Sequence, residues 1–479
     1  MSNRDQRRPW RRVLLVVALV PVLAVFLAAC GGDDDDDGGD GGGGGGGGGE
    51  AIKLGVLSDC EGAFGSFYEP DIAGAHVPFI NRGATANDPG KPSAGIEGAE
   101  IAGHPIEIVG YGCADDTPER AIEETRRLME QEDADILIGP LSGDEGIAVA
   151  NYAKENQDKT FINGTSGAQD TTLKVQAPNF FRFHTDGAQW SAGAGDYAYN
   201  ELGWRRAATI GDDYSFPYTS VAGFIAEFCA VGGDVVQRIW PPLGETDYSS
   251  FIAQIPDDID GLYVGVGGSG LVDFVRQYNQ QKGQFQEGEL IGNLFVDDPL
   301  VLKEIGPRVL GAITSGETAG DSTEPQAEEY VAEIEAAYPE IAELAASVFV
   351  YNYYTAAEAL ILALEEVNGD ISDLDAFWDA LSNVEFEAAY GPITLDENRQ
   401  AISNNYVKRV VPDADGDGVP EVQTFWRIPD VDQSFGGTFT ADTPPPDRSN
   451  PPCEQRDIPW VGNAEEVNFS QGGQAAQKE

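Results

Sequence analysis

The stretch with the clearest chemical potential runs Asp135-Ile-Leu-Ile-Gly-Pro-Leu-Ser-Gly-Asp-Glu-Gly-Ile-Ala-Val-Ala150. A short apolar run enters Gly139-Pro140 and becomes a small-residue helical pattern near Ser142. Such a run reads as a buried strand of a parallel sheet. The turn after it sets the free N–H groups of a helix start at the strand's carboxyl end. Open α/β sheets bind their ligands there, and helix starts favour anionic or polar acceptor groups. Ser142 is therefore expected to bind a polar group of a small molecule. As a nucleophile it would need an imidazole, but the chain holds only His76, His104 and His184, and none can be argued into place. No G-x-S-x-G, H-E-x-x-H or P-loop occurs.

A second constellation is Asp413-Ala-Asp415-Gly-Asp417-Gly-Val-Pro-Glu421. Acids at positions one, three and five, with Gly at six, resemble the front half of a calcium loop. Position twelve is Thr424 rather than a bidentate acid, so a full EF-hand is absent. Asp413, Asp415 and Asp417 stay candidates for a structural Ca²⁺; the alternative is an acidic hairpin turn between Tyr406–Val411 and Val422–Trp426. No other cofactor is expected.

Five cysteines form the third set: Cys30, Cys60, Cys113, Cys229 and Cys453. Cys30 ends Leu27-Ala-Ala-Cys30, after five arginines and an apolar run, Val13 to Ala29. A basic stretch, an apolar stretch and small residues before a cut make a secretory signal peptide. Its last four residues resemble a bacterial lipobox, which makes Cys30 the expected lipidation site. An uncleaved anchor is the alternative, though the segment is marginal for spanning and contains Pro21. The four remaining cysteines of an exported chain suggest two disulfides. Cys60 and Cys113 each follow an expected strand, so adjacent parallel strands would pair them, leaving Cys229 with Cys453. A metal site is the alternative, without a C-x-x-C or a nearby His to support it.

The elements that must position these groups fit a chain of 479 residues, enough for two or three domains. Lys+Arg 29 against Asp+Glu 81 gives 29 − 81 = −52, which argues against nucleic acid or an anionic membrane surface as partner. Residues 31–50 are Gly and Asp runs without core formers, a tether spanning on the order of 25 Å. From residue 51, strand and helix patterns alternate, as in Ile52–Leu57, Ile106–Val109 and Lys159–Ile162. Thr117-Pro-Glu119 starts a helix with an N-cap, a first-turn proline and an early acid. The alternation restarts near His184 with a helix expected over Gln189–Leu202 and strands at Arg206–Ile210, Asp234–Ile239, Gly261–Val266 and Leu290–Gly292. Helices dominate from Gln326 to Leu381, and residues 429–479 read as an irregular extension. Two similar α/β units with several crossings imply a hinge and a cleft.

Several blocks, in order, resemble one family: Ile52-Lys-Leu-Gly-Val56, Ala73-Gly-Ala75 with Ile80-Asn81, Gly103-His-Pro-Ile-Glu-Ile108, Gly139-Pro-Leu-Ser-Gly143 and Tyr390-Gly-Pro-Ile393. They are similar to type I periplasmic solute-binding proteins of the branched-chain amino acid class, the receptors of ABC importers. The resemblance covers roughly residues 51–428. It implies an α/β fold of two Rossmann-like lobes joined by a three-stranded hinge. Lobe one would be 51–184 plus 318–390, and lobe two 187–315 plus 393–428, with crossings near His184, Ser315 and Gly391. It further implies a monomeric, lipid-anchored extracytoplasmic receptor that closes on a small polar or amino-acid-like ligand and meets an ABC permease and ATPase. A sensor for a signalling partner, or a surface amidase or esterase, are the alternatives.

By the same resemblance, Leu141-Ser142-Gly143 and Gly164-Thr165-Ser166 bind the ligand's head group. The family's two lobe-two tyrosines and its ammonium-binding acid fall on Phe216, Gly267 and Leu294. Tyr214 or Tyr218 could replace a tyrosine, and Asp297 or Asp298 lies near the acid's position. Phe64, Trp190 and Phe216 could line an apolar or aromatic pocket; the alternative for each is an ordinary place in the core.

Overall fold

A computed structural model describes residues 49–414 and 416–469. The expected signal peptide, Cys30 and most of the expected tether therefore lie outside the described residues, as does Asp415.

The first α/β unit carries β1 (Ile52–Asp59), β2 (Thr85–Ala86), β3 (Ile96–Glu97), β4 (Glu100–Ile101), β5 (His104–Ala114), β6 (Ile136–Ile138), β7 (Thr160–Ile162) and β8 (Phe180–Phe181). β2 and β3 pair only with each other. The rest form a six-stranded sheet in the order β4-β5-β1-β6-β7-β8, parallel except for β4. β1, β6 and β7 are almost continuously apolar and buried, as a parallel sheet covered on both faces requires.

The second sheet begins with β9 (Arg206–Gly211), β10 (Asp234–Ile239), β11 (Gly261–Gly265), β12 (Leu290–Gly292) and β13 (Ile313–Gly316). It continues through β14 (Phe386–Ala388), β15 (Gly391–Leu395), β16 (Ala401–Val411), β17 (Glu421–Val431) and β18 (Glu465–Glu466). Its order is β10-β9-β11-β12-β13-β16-β15-β14, with β17 on β16 and β18 on β17. Five parallel strands thus meet an antiparallel set at β13 and β16.

The core orders β5-β1-β6-β7-β8 and β10-β9-β11-β12-β13 repeat one doubly wound pattern. In each, the chain reverses direction across the sheet beside its first strand, and open sheets bind ligands at the carboxyl ends of that point. The two points carry the loops after β1 and β6, and after β9 and β11.

Local chemistry sets the helices around these sheets. Thr117 caps the Pro118–Arg126 helix, its hydroxyl accepting the Arg120 N–H at 3.4 Å. The helix Tyr68–Asn81 packs against Val348–Glu366. Gly74 permits the approach, because a Cβ there would stand 2.2 Å from the Val350 carbonyl oxygen. The expected Gln189–Leu202 helix is broken. A 3₁₀ turn covers Gln189–Ser191, and the helix restarts at Ala194–Asn200 after Gly193 at φ +88°. The buried Glu227 carboxylate accepts the N–H groups of Gly193 and Gly195, satisfying donors that a continuous helix would have used internally.

Both cysteine pairs form. Cys60 joins Cys113 with Cα atoms 5.1 Å apart, and Cys229 joins Cys453 at 5.3 Å. The segment after β17 has little regular structure, yet Phe435, Phe439 and Trp460 are buried against Ala222 and Ala226.

Candidate ligand site between the two sheets

Loops from both switch points meet face to face. From the first sheet come Phe64 after β1, Leu141-Ser142-Gly143 after β6, and Thr165 and Gly167 after β7. From the second come Tyr214 and Phe216 after β9, and Leu294 and Phe295 after β12. Trp190, from the chain joining the sheets, and Val348 and Phe349, at the start of the Val348–Glu366 helix, complete the wall.

Aromatic rings dominate this wall. Phe64 stacks on Phe295 at 5.6 Å, Phe216 meets Phe295 edge-on at 5.4 Å, and Trp190 meets Phe216 edge-on at 5.6 Å. Such pairs add directional preference to simple area burial. They close on a void of about 10 Å³, room for one water at most. A larger hollow, about 400 Å³, lies at the amino ends of β1, β6 and β7, away from either switch point.

Ser142 opens the Gly143–Glu155 helix, and its N–H donates to Glu145 Oε2 at 3.4 Å. The two residues are placed as a capping box, but the reciprocal bond is too poor to satisfy Ser142 Oγ. Thr165 Oγ1 also has no hydrogen-bond partner among the described residues. Buried hydroxyls in that condition are costly unless something else serves them. Thr165 points inward, but its neighbours do not line the void. A Cβ on Gly164 would stand 2.4 Å from the Tyr353 ring, and Ser166 Oγ is turned toward Gly146. Gly267 backs the wall: a Cβ there would meet Phe295 at 3.0 Å and Phe64 at 3.2 Å.

The acids considered for an ammonium are engaged elsewhere. Asp297 pairs with the buried Lys408. Asp298 caps the Pro299–Ile305 helix and accepts Ser347 Oγ at 2.6 Å. Tyr218 hydrogen-bonds Asp213 and does not line the void. Asp413 Oδ1 and Oδ2 accept the N–H groups of Gly416 and Gly418, and Asp417 Oδ1 accepts that of Val419. Those oxygens already serve the turn between β16 and β17.

Carboxyls lie just behind the wall instead. Asp59, at the end of β1, and Glu145 are fully buried, with Asp116 beside them. Burial pushes Asp59 well above the usual carboxylate range, helped by the nearby charges of Glu145 and Asp116. Glu145 is pushed up to about 8, chiefly by burial. Asp212, at the end of β9, is likewise raised to about 8 by burial and accepts the Gly267 N–H at 2.9 Å. Glu317 follows β13; burial raises it to about 7, and Thr185 donates to it through N–H and Oγ at 2.8 and 2.6 Å. None of these acids lines the void.

Sequence reasoning missed Gly167, Phe295, Val348 and Phe349. Phe295 adjoins Leu294 in an apolar run, a signal that was present. Val348 and Phe349 reach the site from a helix nearly three hundred residues beyond Phe64, which no local pattern reveals.

Residues 51–417, most of the chain, match the family described as periplasmic binding protein. The chain belongs to that family. It is similar to Leu/Ile/Val-binding protein homolog 6 of Brucella melitensis, 23% identical over 68% of this chain and 83% of that protein. Its fold is similar to an ABC transporter substrate-binding protein from Sphaerobacter thermophilus, with TM-score 0.68 and 24% identity over 80% of this chain and 99% of that one. A Rhodopseudomonas palustris solute-binding protein in complex with benzoate gives 0.67 and 24%, over 78% and 95%. A leucine-binding protein from Thermotoga maritima gives 0.65 and 19%, over 78% and 97%. This is the type I periplasmic binding protein fold, with two α/β lobes. Periplasmic binding proteins bind a solute outside the cytoplasm and perform no chemistry on it. Among the described residues, no helix is long and apolar enough to cross a membrane.

Proposed function

We propose that this periplasmic binding protein is a lipid-anchored, monomeric receptor that delivers its solute to the permease and ATPase of an ABC importer. Cys30 carries the lipid, and residues 31–50 tether the binding body to the membrane. Residues 51–184 plus 318–390 and residues 187–315 plus 393–428 act as the lobes that part and close. The ligand presents a carboxylate or similar acceptor group to Ser142 and Thr165, and an apolar body to the aromatic wall.

The observation that carries this reading is the convergence of loops from both switch points on one aromatic void with two unserved hydroxyls. No Asp, Glu, Lys, Arg or His among the described residues lines that void. An ammonium would enter it without a counter-charge, at a desolvation cost the apolar wall cannot offset. Aromatic or branched aliphatic acids fit better than α-amino acids. The benzoate-bound relative points the same way. A ring-sized ligand needs more room than the void offers, so entry requires the two walls to separate by hinge motion.

The test is a thermal-shift screen with benzoate, 4-hydroxybenzoate, leucine and glucose, since a ligand bound only by the folded state raises the melting point. Benzoate-type acids are expected to raise it, and Ser142→Ala is expected to weaken a hit about tenfold by removing a charge-assisted hydrogen bond. The reading falls if only glucose acts, or if Ser142→Ala and Phe216→Ala bind every hit as the native chain does.

A further inference from the structure

The segment after β17 lies beyond the part of the chain that matches the family, yet it is fastened to both sheets. On the side of the second sheet it is held covalently by Cys229–Cys453. Arg448 pairs with Asp213, Arg238 donates to the Pro451 carbonyl at 2.7 Å, and the Gly462 N–H donates to Asp196 at 2.7 Å. On the side of the first sheet the ties are reversible. Lys174 Nζ donates to the carbonyls of Thr440 at 2.6 Å, Ala441 at 3.1 Å and Thr443.

Ahead of these anchors in the chain Gln433, 1% exposed, bonds to the segment that joins the sheets. Its Nε2 donates to Thr172 Oγ1 at 2.8 Å and Asp186 Oδ2 at 2.9 Å, while Gln169 Nε2 donates to the Gln433 carbonyl at 3.1 Å. Asp186 Oδ1 in turn accepts the N–H groups of Ala188 and Gln189, the turn that presents Trp190 to the void. Thr172 also receives Arg182 Nη2 at 3.0 Å, and the same guanidinium holds the carbonyls of Ser166 and Ala168 at 3.0 and 2.7 Å. One glutamine from the extension therefore bonds to groups that fix both the Thr165 loop and the Trp190 turn.

We propose that residues 432–469 are a hinge clamp, and that Gln433 is the positioning residue through which the clamp sets the ligand loops. The clamp is fastened permanently to one lobe and releasably to the other, beside the hinge, so it limits how freely the lobes part. Hydrogen exchange on the oxidised full chain, without ligand, tests this independently of what the cleft binds. Gln433→Leu keeps the bulk and removes the donors. It should speed exchange about tenfold in residues 163–173 and 183–191, the scale of losing buried hydrogen bonds, with β9 and β11 unchanged. Lys174→Met, which removes the bonds to the Thr440, Ala441 and Thr443 carbonyls, should give the same pattern more weakly. Unchanged exchange in both variants, or acceleration spread evenly over both sheets, overturns the proposal.

Discussion

Asp144 Oδ1, in the first turn of the Gly143–Glu155 helix, accepts the N–H of Ser215 at 3.1 Å, in the first turn of the Ser215–Ala230 helix across the cleft. Two helix starts, each with unsatisfied donors and a positive end, thus share one carboxylate. The approach depends on Gly143, where a Cβ would stand 2.6 Å from Ser215 Oγ and 2.9 Å from the Phe216 nitrogen. The Ser269 N–H adds a second crossing bond to the Ala63 carbonyl, at 3.2 Å.

Removing the carboxylate should loosen closure. Asp144→Ala is expected to weaken any ligand found in the screen roughly fivefold, the worth of about 1 kcal/mol, mainly through faster dissociation. Asp144→Asn, which keeps an acceptor, should lose less. Stopped-flow release rates separate the two; equal rates in all three proteins would contradict the latch.

Gly267 leaves room for the wall between Phe64 and Phe295. Gly267→Tyr should prop the cleft, since even a Cβ there is already tight against both rings. The expected outcome is loss of ligand binding with a larger radius of gyration in small-angle scattering. Binding at native strength by this variant would show that the rings are not fixed in the closed form.

Stability should fall as pH rises from about 5 to 8. Asp212, Glu145 and Glu227 are each raised to about 8 and Glu317 to about 7, chiefly by burial. The unfolded chain loses these protons near pH 4, so the folded state binds more protons throughout that window and stability declines with pH. His76, lowered to about 3, and His184, also lowered by burial, act the other way below about 6.5. Two imidazoles do not outweigh four carboxyls, so the melting point should fall across pH 5 to 8. Asp212→Asn should flatten the pH 6 to 8 limb; an unchanged slope would remove Asp212 from the account.

Salt should stabilise the fold. A net charge of −52 makes the folded surface self-repelling, and screening shortens from ~10 Å at 0.1 M to ~3 Å at 1 M salt. The melting point should climb between 0.05 M and 1 M NaCl; a flat or falling curve would mean that ion pairs dominate.

Much of this geometry was legible because strand-end loops carry local marks. Gly139-Pro140 before Ser142 announces a strand-to-helix turn, and Cys60 and Cys113 announce neighbouring strands. What a local pattern lacks is orientation within a loop. Thr165 faces the void, while Gly164 lies under Tyr353 and Ser166 turns toward Gly146. Nor does periodicity show that Glu227 breaks the Gln189–Leu202 helix at Gly193 from another element. Phe349 reaches Phe64 at 6.3 Å only because the Val348–Glu366 helix packs on Tyr68–Asn81, a tertiary fact.

The Cys60–Cys113 bond closes the loop that carries Phe64 into the aromatic wall. Thiols stay reduced in the cytoplasm and pair outside it, so this bond forms only after the chain has left the cell interior. One covalent staple beside the aromatic wall is thus completed by the oxidising side of the membrane rather than by the fold alone.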